Sequence, residues 1–308
     1  MKCLVTGGAG FIGSHLAEAW VKKGAWVRIL DNFSSGNKNN LLSIANKIEL
    51  ICGDILDRSV VKTALQGIDY VFHQAALKTV PESFNTPQNY NQVNIDGTLL
   101  LLEESLKNKV KKFVYASSSS VYGNTPSLPK KETDALSPIS PYAVTKLAGE
   151  YYCSVFSNTY HLPTISLRYF NVFGPRQPER DGYSPVIPKF ISSLLKNESP
   201  PIYGDGLQSR DFTYIDDVVL ANMLAVEREE VTGVFNVGKG ENQNLLTMIQ
   251  VLNKFLNKDI KPRFLPSQKG DVKHTLASIE AIQKRLGYRP TCSFEEGLKR
   301  TLAWFQTL

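Results

Sequence analysis

Thr6-Gly7-Gly8-Ala9-Gly10-Phe11-Ile12-Gly13 decides how this chain is read. It follows Met1-Lys2-Cys3-Leu4-Val5, an apolar, β-prone run that reads as a buried parallel strand. Ile12, Leu16 and Trp20 then recur at helical spacing up to Gly24, a stop signal. The order is strand, tight turn, helix. Bare Cα atoms at Gly7 and Gly10 permit a sharp turn and the close approach of a pyrophosphate, and Gly13 lets the helix pack near the strand. The helix N-terminus offers free N–H groups and a positive dipole end to phosphates. The next strand, Trp26-Val27-Arg28-Ile29-Leu30, ends in Asp31. An acid about 20 residues beyond the glycines accepts hydrogen bonds from ribose hydroxyls. It would repel a 2′-phosphate, and no arginine follows in Asn32-Phe33-Ser34-Ser35-Gly36. The expected cofactor is therefore NAD rather than NADP.

Outward from this turn, strands are expected near 2–6, 26–30, 48–52, 70–74, 112–117 and 163–169. Helices lie between them, including 57–66, 92–107 and 142–160. Such alternation predicts an α/β fold, a doubly wound parallel (Rossmann) sheet with helices on both faces. After Arg168 the pattern changes, as Gly174, Pro175, Pro178, Gly182, Pro185 and Pro188 break the chain into loops. Helices are expected again near 186–196, 244–257, 278–286 and 294–306. The domains expected are a dinucleotide-binding domain over 1–174, with a return to the sheet near 211–237, and a smaller substrate-binding lobe from the remaining segments of 175–308. Ligands of such sheets bind outside the carboxyl ends of the strands. Ser117 to Ser120 end the fifth strand and Asn171 the sixth, so both should reach that crevice.

Bulk numbers narrow the class. At 308 residues and 42% hydrophobic content the chain can bury a large core. Cys3, Cys52, Cys153 and Cys292 form no CxxC pair and read as reduced core thiols of a cytoplasmic protein. The four histidines are scattered, so no metal site is expected. The N-terminus runs straight into a strand and is not read as a signal peptide. No apolar run approaches the roughly 20 residues that span a bilayer, so no membrane partner is expected. The net charge is +6, densest at Lys107-Asn108-Lys109-Val110-Lys111-Lys112, where lysines complement a helix C-terminus. A basic balance also draws in a doubly charged diphosphate. No alternation of aromatic and basic residues suggests nucleic acid.

Tyr142-Ala143-Val144-Thr145-Lys146 opens a helix, with Tyr142 and Lys146 one turn apart on one face. An ammonium group near a phenol favours the phenolate, as does a positive nicotinamide ring. A phenolate is a suitable general base for a secondary alcohol near neutral pH.

Over essentially its full length the chain resembles the extended short-chain dehydrogenase/reductase family, and within it the nucleoside-diphosphate-sugar 4-epimerases. The matching segments are the glycine run with Asp31, Gly53-Asp54-Ile55, His73-Gln74-Ala75-Ala76, Tyr115 to Gly123, Ser140-Pro141-Tyr142 to Lys146, Arg168 to Pro175, and Ser209 to Ile215. The resemblance implies that Ser118, Tyr142 and Lys146 are catalytic. It implies that Gly7, Gly10, Phe11, Ile12, Gly13, Asp31, Asn32, Asp54, Ile55, Ala75, Ala76, Lys78, Asn94, Tyr142, Lys146 and Tyr169 bind NAD, with Asp54 and Ile55 against adenine. It assigns Lys78, Ser118, Ser119, Ser120, Asn171, Ile202, Tyr203, Arg210, Lys269, Asp271 and Thr275 to a UDP-sugar substrate. The implied reaction inverts C4 of a UDP-hexose, UDP-N-acetylglucosamine or UDP-glucose, through a 4-keto intermediate. A homodimer through the helices near 92–107 and 142–160 is also implied.

Departures and rivals are specific. Sugar-nucleotide dehydratases carry an Asp-Glu pair before the Val-Tyr-Gly, where this chain has Ser119 and Ser120, and the decarboxylases carry a glutamate at the second place. UDP-glucuronate 4-epimerases stay open, because a serine-rich strand end can bind a carboxylate, although that subgroup favours threonine at the Asn171 position. A non-catalytic NAD-binding regulator typically lacks the tyrosine or lysine, and both are present. Where the family usually places an arginine that contacts the diphosphate, this chain has Gln268, followed by Lys269. In 4-epimerases the residue four places after the Gly-Asp aspartate lies beside the sugar C2 substituent. Thr275 occupies that place and leaves room for an N-acetyl group.

Overall fold

A computed structural model of the chain describes residues 1–179, 185–266 and 274–308. Strands β1 (Lys2–Thr6), β2 (Trp26–Asp31), β3 (Ile48–Cys52), β4 (Tyr70–His73), β5 (Lys112–Ser118) and β6 (Thr164–Tyr169) come first. Helices α1 (Phe11–Lys22), α2 (Arg58–Leu65), α3 (Val80–Asn85), α4 (Pro87–Asn91), α5 (Gly97–Lys107) and α6 (Pro141–Thr159) lie between them. The later elements are β7 (Val172–Phe173), α7 (Val186–Leu195), β8 (Pro201–Tyr203), β9 (Ser209–Arg210), β10 (Thr213–Tyr214), α8 (Ile215–Glu227), β11 (Gly233–Val237), β12 (Gln243–Asn244), α9 (Leu245–Leu256), β13 (Arg263–Leu265), α10 (Glu280–Leu286) and α11 (Phe294–Phe305).

Seven strands form one sheet in the order β11-β6-β5-β4-β1-β2-β3, parallel throughout. Central strands such as β4 and β6 are buried along their whole length, which matches their continuous apolar runs. Strand order reverses between β1 and β4, and this switch point opens a crevice at their carboxyl ends. Of the expected return over 211–237, only β11 joins the large sheet. Thr213–Tyr214 pairs with β7 instead, and α8 fills the interval.

Several elements differ from expectation. A 3₁₀ helix spans Lys38–Lys47. The expected 92–107 helix begins with a π-helical turn at Gln92–Asp96. Ser119 and Ser120 belong to a 3₁₀ turn, Ser119–Tyr122, rather than to β5. Cys52 is exposed, because β3 is the sheet edge, whereas the other three thiols are buried. Among the described residues no helix is long and apolar enough to cross a membrane, and no group of His, Cys, Asp or Glu could hold a metal ion.

A buried ion pair ties the sheet to α6. Arg168 of β6 donates from Nε to Glu150 Oε1 at 2.9 Å and from Nη2 to Oε2 at 2.7 Å, and both side chains are 3% exposed. Ser117 also donates to Glu150 Oε1. Arg168 Nη1 donates to Tyr122 Oη at 2.8 Å, which donates in turn to Asn236 Oδ1 of β11 at 2.7 Å. Removing one partner leaves a charge without compensation in the core. Glu150→Gln should therefore lower unfolding free energy by about 3–5 kcal/mol, measured by urea denaturation. A loss below about 1 kcal/mol would show that water or a neighbouring group compensates Arg168.

Candidate active site

The glycine turn is built by contact. Gly7 has φ +65°, and a Cβ there would lie 2.8 Å from the Ala75 backbone. A Cβ on Gly13 would run into the Gly7 carbonyl oxygen and lie 2.8 Å from Gly8 Cα. Gly10 is the N-cap of α1 and supplies no side-chain cap, so the first-turn N–H groups of this helix are left for an anion. The Phe11 side chain is packed in the core with Ile12 against it, so both can serve a ligand here through the backbone. Asp31 ends β2 under the same turn. Its carboxylate accepts from the Ala9 N–H at 2.9 Å and the Phe33 N–H at 2.8 Å, one on each oxygen. Each oxygen keeps a lone pair for a ribose hydroxyl. Across from it, Asn32 donates to Asp54 Oδ2 at 2.7 Å, and Ile55 is buried against Gly97. The residues present fit a dinucleotide.

The second wall follows β4. His73 lies between Thr6 Oγ1 at 2.8 Å and Thr98 Oγ1 at 2.9 Å, and burial pushes its imidazole down to about 3, so it is neutral. Beyond Ala75 and Ala76 the chain is clamped twice. Asn94 accepts from the Leu77 N–H at 2.9 Å and donates to the Leu77 carbonyl at 2.9 Å. Tyr90 Oη accepts from the Thr79 N–H at 3.1 Å and donates to the Thr79 carbonyl at 2.7 Å. Lys78 is exposed between these clamps. The Asn94 side chain, expected at the cofactor, is 1% exposed and gives its second donor to Thr145 Oγ1. Tyr169 Oη is likewise occupied by Asn222, whose Nδ2 donates to it at 2.8 Å, and by Gln74.

Tyr142 and Ser118 come together at the head of α6. Ser140 caps this helix, accepting from the Ala143 N–H at 3.2 Å. Burial pushes the Tyr142 phenol up to about 12, opposed by the nearby Ser118 hydroxyl. Lys146 does not set this value. Its ammonium is buried, donates to the Ala116 carbonyl at 2.8 Å, lies 5.1 Å from the Tyr115 ring centre and is pushed down to about 7 by burial. Burial drives both groups towards neutrality, so of the two positive charges expected to favour the phenolate, the ammonium and the nicotinamide ring, the ammonium is the weaker support here.

Across the crevice, Asn171 has φ +26° and donates from Nδ2 to the Asp211 carbonyl at 3.1 Å and to Thr275 Oγ1 at 3.2 Å. Thr275 is thereby brought beside Asn171. Arg210 lies in β9, with Nη1 donating to the Ser209 carbonyl at 3.0 Å. The Tyr203 ring stacks under Lys189, 5.5 Å from its Nζ. The Ile202 side chain is fully buried in the core, so its backbone is the part available to a substrate. Lys269, Asp271 and the Gln268 departure lie outside the described residues.

Sequence reading missed Asp211 as a structural anchor. Its carboxylate accepts from the N–H groups of Lys239 at 2.7 Å, Gly240 at 3.0 Å and Ala277 at 3.1 Å, and burial pushes it up to about 6. It fastens the segments that carry Arg210 and Thr275. An aspartate inside an otherwise apolar run, Asp211-Phe212-Thr213-Tyr214-Ile215, was the available signal.

The NAD dependent epimerase/dehydratase family matches residues 3–238. A putative UDP-glucose 4-epimerase of Methanocaldococcus jannaschii is 36% identical over 98% of both chains. A solved UDP-N-acetylglucosamine 4-epimerase from Methanobrevibacter ruminantium M1, in complex with UDP-N-acetylmuramic acid, is 42% identical with a TM-score of 0.96, covering 99% of this chain and 98% of that one. A UDP-glucuronic acid 4-epimerase from Bacillus cereus, solved with UDP-glucuronic acid and NAD, is 37% identical with a TM-score of 0.92, covering 100% of this chain and 99% of that one. With its glycine cradle, Asp31 and the Ser118–Tyr142 pair in the same fold, the chain belongs to the NAD dependent epimerase/dehydratase family.

Proposed function

We propose that this protein is a UDP-sugar 4-epimerase acting on UDP-N-acetylglucosamine and UDP-glucose, with NAD held at Gly7, Gly10, Gly13 and Asp31. The carrying observation is Tyr142 at the head of α6, close enough to Ser118 at the carboxyl end of β5 for that hydroxyl to hold its phenol down, with serines where related dehydratases need an acid pair. Bound NAD supplies a hydride acceptor that returns the hydride, and a positive charge beside the phenol. Tyr142 takes the proton of the sugar 4-hydroxyl, and Ser118 donates to the same oxygen as it becomes a ketone. The same two groups serve the return step on the opposite face, so the sugar must turn while its nucleotide stays anchored. Asn171, Arg210 and Tyr203 would supply that anchorage, with Lys78 near the cofactor. Residues 175–308, less the return to the sheet, would form the substrate lobe.

A homodimer fits an exposed apolar stripe on α6. Val144, Tyr151 and Val155 are 50%, 60% and 47% exposed, and their spacing puts them on one face. A cytoplasmic setting fits three buried free thiols.

Incubation with UDP-N-acetylglucosamine, UDP-glucose and UDP-glucuronate, with products read by NMR, tests the reaction. C4 inversion of the first two is expected, and turnover of UDP-glucuronate alone would overturn the substrate reading. Tyr142→Phe should reduce kcat by at least about 10²–10⁴-fold and leave nucleotide affinity nearly intact. Gly13→Ala should weaken NAD at least about tenfold in cofactor-stripped protein, by titration calorimetry, because the turn must move. Thr275→Tyr adds bulk beside Asn171. It should suppress the N-acetylated reaction about 10- to 100-fold more than the plain one, and equal losses would refute this gate.

A further inference from the structure

The Ser118 hydroxyl is more constrained than a substrate contact requires. Its Oγ accepts the Ser120 backbone N–H at 3.2 Å and the Ser120 hydroxyl at 2.9 Å. A serine oxygen has two acceptor lone pairs and one proton. With the Ser120 hydroxyl donating beside the Ser120 N–H, both lone pairs of Ser118 are filled and its own proton is left to be donated. The proton then goes to the remaining side, and this hydroxyl is close enough to Tyr142 to hold its phenol down. The direction is forced again when Tyr142 is ionised, because a phenolate can only accept.

The turn that carries Ser120 is fixed. Val121 and Tyr122 are buried, Tyr122 Oη is bonded to Arg168 and Asn236, and Gly123, at φ +60°, abuts the Ser137 carbonyl so closely that no Cβ would fit. The Ser120 hydroxyl is thereby kept on Ser118. We propose that Ser120 is a positioning residue whose hydroxyl commits Ser118 to donate its proton to the reacting oxygen, and so orders the chain Ser120 to Ser118 to Tyr142 or the sugar. This rests on the reading of Tyr142 as base and Ser118 as its partner. It departs from the expectation that Ser120 touches substrate.

Without the Ser120 hydroxyl, Ser118 has an empty lone pair. It can then turn to accept from the neutral phenol, which stabilises the form of Tyr142 that cannot act as a base. A chain of aligned donors also strengthens each bond in it.

The test uses the full-length holoenzyme and the variants Ser120→Ala, Ser120→Cys and Ser120→Thr. Ser120→Ala keeps the backbone N–H, so the turn should persist. It should lower kcat about 10- to 100-fold with KM changed less than about twofold. In the NAD-bound enzyme the Tyr142 phenol, followed by ¹³C NMR of labelled tyrosine and assigned with Tyr142→Phe, should titrate at a higher pH than in the wild type. Ser120→Cys, a weak donor of similar shape, should behave like the alanine variant, and Ser120→Thr should recover both readouts. An unchanged kcat and titration in Ser120→Ala would overturn the proposal, as would a rise in KM alone, which marks a direct substrate contact. Recovery by Ser120→Cys would overturn it too, since only packing would then matter. If the wild type turns over no UDP-sugar, the reading of the reaction fails, while the titration still decides the role of Ser120.

Discussion

The bidentate pair of Arg168 and Glu150 sets where everything else at the site can be. Apolar contact between α6 and the sheet fixes their separation but lets a helix slide along its axis or roll. Two parallel N–H to oxygen bonds do not permit this. Glu150 lies one turn beyond Lys146 and two beyond Tyr142, so fixing it fixes the helix face that carries the base. Ser117 binds the same carboxylate from β5, next to Ser118. The phenol and the hydroxyl it needs are therefore positioned from one buried charge. Gly149 completes the fit, because a side chain there would strike the Tyr115 hydroxyl and push α6 off β5.

The loop after β4 follows the same logic with neutral groups. Asn94 satisfies both backbone groups of Leu77, and Tyr90 both backbone groups of Thr79. An isolated loop would leave those groups to water and move. Here they are taken from elements packed against α6, and the Tyr90 ring meets the Tyr142 ring edge-on at 6.5 Å. The loop and the base thus share supports. Only the sugar has to turn in the reaction, and the groups that exchange protons with it stay where they are.

The sheet was legible because its central strands, such as β4 and β6, are buried along their length and β-prone runs alternate with helical ones. The glycine turn was legible because no other residue type fits its backbone. Short elements were not. The helices α3 and α4 span six and five residues, too few for a period to show, and the Lys38–Lys47 segment has a weak apolar pattern. Spacing along α6 placed Tyr142 and Lys146 on one face, but it could not say which acceptor the ammonium would choose, and it chose the Ala116 carbonyl. Asp211, Gln74 and Asn222 owe their roles to partners distant in sequence. Cys52 looked like a core thiol because its strand is apolar, but an edge strand is covered on fewer sides.

The position of β11 has a consequence for how the protein is made. Residues 233–237 complete the large sheet beside β6, yet they follow the segments that bear Asn171, Tyr203 and Arg210. During synthesis the β6 edge therefore has no partner strand until the chain has run some 60 residues past it. An unpaired edge of this kind invites pairing with another nascent chain. A fragment cut after Gly174 would keep the cofactor turn and lose the strand that covers that edge. The segment that bears the glycine turn is thus not a separable module: the last strand of its sheet arrives only after Asn171, Tyr203 and Arg210 have been made.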